Sequence, residues 1–352
     1  MNAFTFLVSL VLTALYVSNV DAVPEEQLAQ QGGVEIQQYV KTYSSRGILQ
    51  TSDGLQLDFL RFDNKCTDTA IVIVPGWTEP PIKYAELAYD LRDYGFCIYI
   101  LDHRGQGFSS RIVQNSQVSY VSDFEHYVDD LQLFDRNIVR KRHNKRVFFL
   151  GHSMGGLITT LYAARNNTKI DGLVLSAPLF EIDGGWMPEW LMYDAVSFLN
   201  FFGYGQNYAP GQGDWDERNL DFKLNRFTNS QVRFNRIVSF FTNNPQAKIG
   251  GVSNRWVQTT IDATRKVIDL AKTMKTPILL LQADQDELVR PRRQNKFCHV
   301  AQACKKLFFP GAKHELFSEI DPIRNKALNA TIEFISSVSA VQVTSMLSQG
   351  GF

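Results

Sequence analysis

One hexapeptide limits the folds open to this chain more than any other feature: Gly151-His152-Ser153-Met154-Gly155-Gly156. It fits Gly-x-Ser-x-Gly, follows an apolar run at residues 147–150 that reads as a short strand, and precedes a helix-forming segment at 157–164. A serine on so sharp a strand-to-helix turn projects its hydroxyl outward. Flanking glycines are needed because side chains there would strike neighbouring backbone. Ser153 is therefore the expected nucleophile.

Strand and helix signals alternate along most of the chain. Leu55, Leu57 and Phe59 alternate after an Asp53-Gly54 turn, giving a hairpin that starts near Gly47. Apolar runs at 70–74, 96–101, 172–176, 276–282 and 306–309 read as buried strands. Between them Tyr84, Leu87, Ala88 and Leu91 recur at helical spacing. Ser122 with Glu125 predicts a capping box that opens a helix through Phe124, Val128, Leu131 and Ile138, and Asp321-Pro322 starts a closing helix. This pattern predicts an α/β chain whose mostly parallel sheet is covered by helices on both faces. Residues 181–267 break the rhythm, with no buried-strand signal but dense aromatics such as Trp186, Trp190, Phe198, Phe201 and Trp215. They are expected to form a helical cap over the carboxyl ends of the strands, set between core segments 23–180 and 268–352. The plainer alternative is a helical subdomain whose aromatics are its own core.

The 36 basic and 36 acidic residues balance, so no polyanion-binding surface is indicated and nucleic acid is not an expected partner. Residues 1–22 read as a signal peptide: an apolar run, then the small-residue pattern Val20-Asp21-Ala22 before Val23-Pro24. A secreted or exported location follows, whether extracellular, periplasmic or in the lumen of a secretory pathway. In such a compartment Cys66, Cys97, Cys298 and Cys304 are expected to form two disulfides. Placement favours Cys66 with Cys97 and Cys298 with Cys304, although four cysteines allow three connectivities. A metal cluster of Cys298, His299 and Cys304 matches no usual zinc spacing. Asn166-Asn167-Thr168 and Asn329-Ala330-Thr331 are glycosylation sequons.

A serine hydroxyl needs a base, and the base must come from later in the chain. His314, just past the last strand signal in Gly311-Ala312-Lys313-His314, completes the order nucleophile, acid, histidine of the α/β-hydrolases. His152 is expected to point away from the turn, His103 sits in a loop, His126 and His143 belong to an exposed helix, and His299 follows a cysteine. Backbone donors for an oxyanion are expected at the N–H groups of Met154, after the nucleophile, and Trp77, after an early strand. The acid is one of Asp284, Asp286 and Glu287. Gly105-x-Gly107 superficially resembles a nucleotide loop, but it lacks the third glycine and the following acid. A rigid brace built on Asp102 and Arg104 is the better reading.

Several motifs together carry a resemblance. Pro75-Gly76 with Lys83-Tyr84-Ala85-Glu86-Leu87, then Asp102-His103-Arg104-Gly105-Gln106-Gly107, Tyr127-Val128-Asp129-Asp130-Leu131, Gly151 to Gly156, Arg233 to Arg236, Gly250-Gly251 and Leu279-Leu280-Leu281-Gln282 are similar to the bacterial lysophospholipases related to monoacylglycerol lipases. Coverage runs over about residues 66–336. The resemblance implies the α/β-hydrolase fold, an acyl-serine route for cleaving the ester of a lysophospholipid or monoacylglycerol, and no metal or organic cofactor. It also implies Asp286 as the acid, by its spacing from Gln282 and the Leu288-Val289 pair that follows. On that reading the cap aromatics would line an acyl tunnel, and an apolar rim would allow transient contact with a membrane surface. A broad carboxylesterase or an S33-like peptidase would use the same fold and triad, and a non-enzymatic binding protein is the remaining alternative.

Overall fold

The computed structural model describes residues 20–63, 66–142, 144–166 and 169–349, with side chains described as far as residue 340. The expected signal peptide lies outside these residues except for its last three positions.

Eight strands form one sheet: β1 Ser44–Gln50, β2 Gln56–Phe62, β3 Thr69–Val74, β4 Cys97–Leu101, β5 Arg146–His152, β6 Gly172–Ser176, β7 Ile278–Ala283 and β8 Cys304–Phe309. Their order is β1-β2-β4-β3-β5-β6-β7-β8. The β1–β2 hairpin and the β2–β4 pair are antiparallel, and every pairing from β4 through β3 to β8 is parallel. Ten α-helices among the described residues accompany it: α1 Glu25–Gln31, α2 Val34–Tyr43, α3 Ala85–Asp90, α4 Glu125–Phe134, α5 Met154–Arg165, α6 Glu189–Phe201, α7 Gln231–Asn243, α8 Asn254–Thr273, α9 Pro291–Val300 and α10 Asp321–Gln349.

Side-chain alternation divides the core into two layers. On β3, Val72 and Val74 join Phe124, Leu131, Leu157, Ile261 and Phe297 on one face. Ile71 and Ile73 join Leu87, Leu91, Leu328 and Ile332 on the other. A strand buried on both faces is expected to be apolar, as β3 is from Ala70 to Val74. No helix among the described residues is long and apolar enough to cross a membrane.

Four features differ from, or add to, the sequence reading. The Ser122–Glu125 capping box does not form: the Glu125 N–H donates to Asp123 Oδ1 at 3.0 Å, while Ser122 Oγ pairs with His126 Nδ1 at 3.2 Å. A carboxylate is the stronger acceptor at a helix start. Helices α1 and α2, before Gly47, carry no strong sequence signal and are held from a distance, with Arg233 of α7 donating to the Val23 carbonyl at 3.0 Å and to Asp321 at 2.8 Å. Between β6 and β7 the chain is helical, but the boundary expected at 267 falls inside α8, whose Trp256, Ile261 and Val267 belong to the sheet's own core. Finally, although Tyr193 of α6 packs against the core, most aromatics around this helix are neither core nor tunnel. Trp186 and Phe201 are each 85% exposed, and Trp190, Phe198, Phe202 and Tyr204 also face outward. The disulfides are Cys66–Cys97 and Cys298–Cys304, so the latter pair is not available to a metal.

Candidate active site

At the end of β5, Ser153 adopts φ 49° and ψ −117° before α5 begins at Met154. Such a conformation is costly for a residue with a side chain and persists only where the surroundings enforce it. Here they do. A Cβ at Gly155 would collide with the Val74 and Pro75 carbonyls, and one at Gly151 would lie 2.6 Å from the Gly155 oxygen. Backbone bonds pin the turn further: the Ser153 N–H donates to Ser176 O at 3.0 Å, and its carbonyl accepts from Gly156 at 2.9 Å and Leu179 at 2.9 Å.

His314 follows β8 and reaches back to the same cavity as Ser153. Its Nδ1 lies 2.7 Å from Asp286 Oδ2, both side chains being almost wholly withdrawn from water. Asp286 is fixed in turn by its other oxygen, which accepts the N–H groups of Leu288 at 2.9 Å and Val289 at 3.0 Å. Burial opposes its charge, but His314 and these two donors outweigh burial and hold the carboxyl below its ordinary pKa. Asp284 instead accepts from Gly311 N–H at 3.0 Å and is exposed, as is Glu287. Of the three candidate acids, Asp286 alone meets the histidine.

His152 contradicts its sequence reading. Rather than pointing away, it is buried with its ring centre 4.7 Å from that of His314. Its Nδ1–H donates to Ser176 O at 3.2 Å, and burial pushes the imidazole down to about 4, so it is neutral at pH 7. Nothing local in Gly-His-Ser signals this, because the environment comes from residues distant in sequence.

The loop after β3 presents the other expected donor. Gly76 N–H is taken by Glu79 Oε2 at 2.5 Å, and Thr78 N–H, at a φ of 63°, by Gln106 Oε1 at 2.6 Å. Between them the Trp77 N–H has no acceptor among the described residues, and its indole donates to Ser119 Oγ at 2.7 Å. Met154 N–H, first in α5, has no intrahelical acceptor either. These are the two groups expected to receive an oxyanion. The segment from Asp102 is the brace anticipated: Asp102 Oδ2 accepts Phe108 N–H at 2.7 Å, Arg104 forks onto Asp130 with both bonds at 2.6 Å, and His103 Nε2–H donates to the Pro75 carbonyl at 2.8 Å.

Ser153, His314 and Trp77 open on a cavity of about 1500 Å³. Its apolar wall comes from Trp215, Val232, Phe240, Phe241, Ile249 and Leu288, so of the aromatics expected to line a tunnel only Trp215 does so, and α7 supplies much of the rest. Glu79, His152 and Glu315 cluster closely enough to suggest metal ligands, but the Lys83 ammonium lies 2.5 Å from both carboxylates and already takes the place a cation would occupy. A divalent cation does not fit beside it.

Comparison with known proteins agrees with this geometry. The serine aminopeptidase S33 family matches residues 65–321. Lysophospholipase L2 of Escherichia coli K12 is 36% identical over 292 residues, covering 81% of this chain and 85% of that protein. Monoglyceride lipase of Rattus norvegicus is 26% identical, covering 83% of this chain and 91% of its own. Among solved structures, a soluble variant of Saccharomyces cerevisiae monoglyceride lipase in complex with a substrate analogue superposes with a TM-score of 0.67 at 21% identity, over 84% of this chain and 95% of that one. A sheet with one hairpin edge, a serine on a strained turn after β5, a histidine after β8 and a family match across most of the chain place this protein in the serine aminopeptidase S33 family of α/β-hydrolases.

Proposed function

We propose that this protein is a serine hydrolase that cleaves the carboxylic ester of a single-chain lipid, a lysophospholipid or a monoacylglycerol. The observation that carries the reading is the buried 2.7 Å pairing of His314 with Asp286 on the cavity that also holds Ser153. In this account His314 takes the Ser153 proton as the hydroxyl oxygen attacks the ester carbonyl, and Asp286 keeps Nδ1 protonated and aimed. The N–H groups of Trp77 and Met154 stabilise the oxyanion. His314 then protonates the departing alcohol, and water attacks the acyl-serine by the same route in reverse, releasing the fatty acid.

Lipid substrate is favoured by the apolar wall of the cavity and by the lysophospholipase and monoglyceride lipase relatives. Each methylene withdrawn from water contributes roughly 0.8 kcal/mol, so the wall should reward long acyl chains. The outward aromatics of the insertion, centred on α6, suit transient docking on a membrane or micelle surface, where Trp and Phe partition into the interface. Export is supported by two disulfides, which persist in oxidising compartments. Turnover measured side by side on lysophospholipids, monoacylglycerols, short p-nitrophenyl esters and aminoacyl amides tests the assignment. Long-chain lipid esters should be the fastest, and amides faster than all esters would overturn it in favour of a peptidase.

A further inference from the structure

Beneath the proposed catalytic groups lies a buried charge chain that the mechanism above does not use. Lys83 sits on the single turn Pro81–Tyr84 with its side chain 11% exposed, and its Nζ lies 2.5 Å from Glu79 Oε1 and 2.5 Å from Glu315 Oε1. Burial alone would lower the lysine pKa, but the two carboxylates reverse this and keep it charged. At one end of the chain, Glu79 holds Gly76 N–H and the Tyr84 hydroxyl at 2.5 and 2.6 Å, and Gly76 immediately precedes the oxyanion donor Trp77. At the other end, Glu315 immediately follows His314, and its N–H donates to the Phe227 carbonyl at 2.8 Å.

These two ends belong to loops that the sheet does not tie together. Glu79 follows β3 and Glu315 follows β8, with β5, β6 and β7 between them, so the two strands are separated by roughly 19 Å at the level of the sheet. A buried ion pair is weak evidence for stability, since desolvation offsets most of its Coulomb energy, but it fixes geometry well. We infer that Lys83 and Glu315 are positioning residues that hold the oxyanion loop and the His314 loop in register, so that base and oxyanion donors meet the same tetrahedral centre. This rests on the catalytic reading of Ser153, His314 and Trp77.

The test compares kcat and KM for a soluble p-nitrophenyl ester in the wild type, Lys83→Met, Lys83→Arg, Glu315→Gln and the double variant Lys83→Met/Glu315→Gln, each melted to check folding. Misplaced reacting groups cost rate rather than binding. Lys83→Met should therefore lose about 10- to 100-fold in kcat with KM within about threefold, and Lys83→Arg should recover most of the loss. Because the pair acts as one unit, the double variant should be no slower than the slower single variant. A folded Lys83→Met or Glu315→Gln with kcat near wild type, a Lys83→Arg as slow as Lys83→Met, losses that multiply in the double variant, or losses confined to KM would each overturn the proposal. If Lys83→Met fails to fold, Glu315→Gln decides: it should lose about 10-fold or more in kcat with KM within about threefold, and a folded Glu315→Gln with kcat near wild type overturns the proposal. A wild type with no turnover and no fluorophosphonate labelling would sink the hydrolase reading itself, whereas an active wild type with unaffected variants sinks only the positioning role.

Discussion

At the floor of the cavity Glu79, Lys83, His152 and Glu315 are withdrawn from water, while on and beside α6 Trp186, Trp190, Phe198 and Phe201 are left in it. Both regions run against the ordinary partition of polar residues outward and apolar residues inward. The floor can do so because each charged group has a partner, Lys83 with two carboxylates and Glu79 with the lysine, a backbone N–H and a tyrosine hydroxyl. The outer face has no such compensation among the described residues. Buried charge that is fully paired fixes atoms in place; exposed aromatic surface that is unpaired is available for contact. On the proposed function, the paired floor positions the reacting groups and the exposed face is open to contact with lipid.

The contrast can be broken most sharply at Ser153. Removing a triad nucleophile costs roughly 10⁶ in turnover, so Ser153→Ala should fold normally and lose both ester hydrolysis and fluorophosphonate labelling. Substantial residual turnover would move the chemistry away from the floor. On the outer face the expected effect is smaller and of a different kind. Replacing Trp190, Phe198 and Phe201 together with Ser should reduce sedimentation with phosphatidylcholine vesicles about tenfold or more, yet leave hydrolysis of a soluble short ester unchanged. Equal loss on both substrates would show that the face serves the chemistry after all.

A still smaller effect tests whether the brace behind the Trp77 loop is as dry as the floor. Burial holds His103, which donates to the Pro75 carbonyl, down to about 4, against about 6.5 when unfolded. Its folded pKa is the lower one, so unfolding takes up a proton and the wild type loses stability as pH falls from 6.5 towards 4. His103→Gln lacks that titration. Its stability deficit relative to wild type should therefore narrow by roughly 2 kcal/mol between pH 7.5 and 4.5, measured by denaturant melts. A deficit that stays constant across that range would mean the imidazole is hydrated.

What could be read from sequence was local. The serine turn, the strands and the Cys298–Cys304 loop depend on residues near one another or on strong apolar runs, while the Cys66–Cys97 pair follows from the placement of two strands, and all stand where the sequence placed them. His314 and Asp286 were legible because the order and spacing of a known family carried them. Features made by distant residues were not legible. His152 is buried by Glu79 and His314, the α1–α2 arm is held by Arg233, and the Glu79–Lys83–Glu315 chain links segments that no short motif spans. The outward turn of the α6 aromatics was missed for a related reason. An apolar helix reads the same whether it faces a core or water, and only the surrounding packing decides.

The central claim is that one particular carboxylate, held 2.7 Å from His314, belongs to the machinery and that its neighbour Asp284 does not. Fatty acid release from a long-chain monoacylglycerol should be compared for Asp286→Asn and Asp284→Asn, with both variants shown to be folded. Loss of a triad aspartate costs roughly 10⁴ in turnover, so Asp286→Asn should be nearly inactive while Asp284→Asn stays within a few-fold of wild type. The opposite outcome, an inactive Asp284→Asn beside an active Asp286→Asn, would contradict the account.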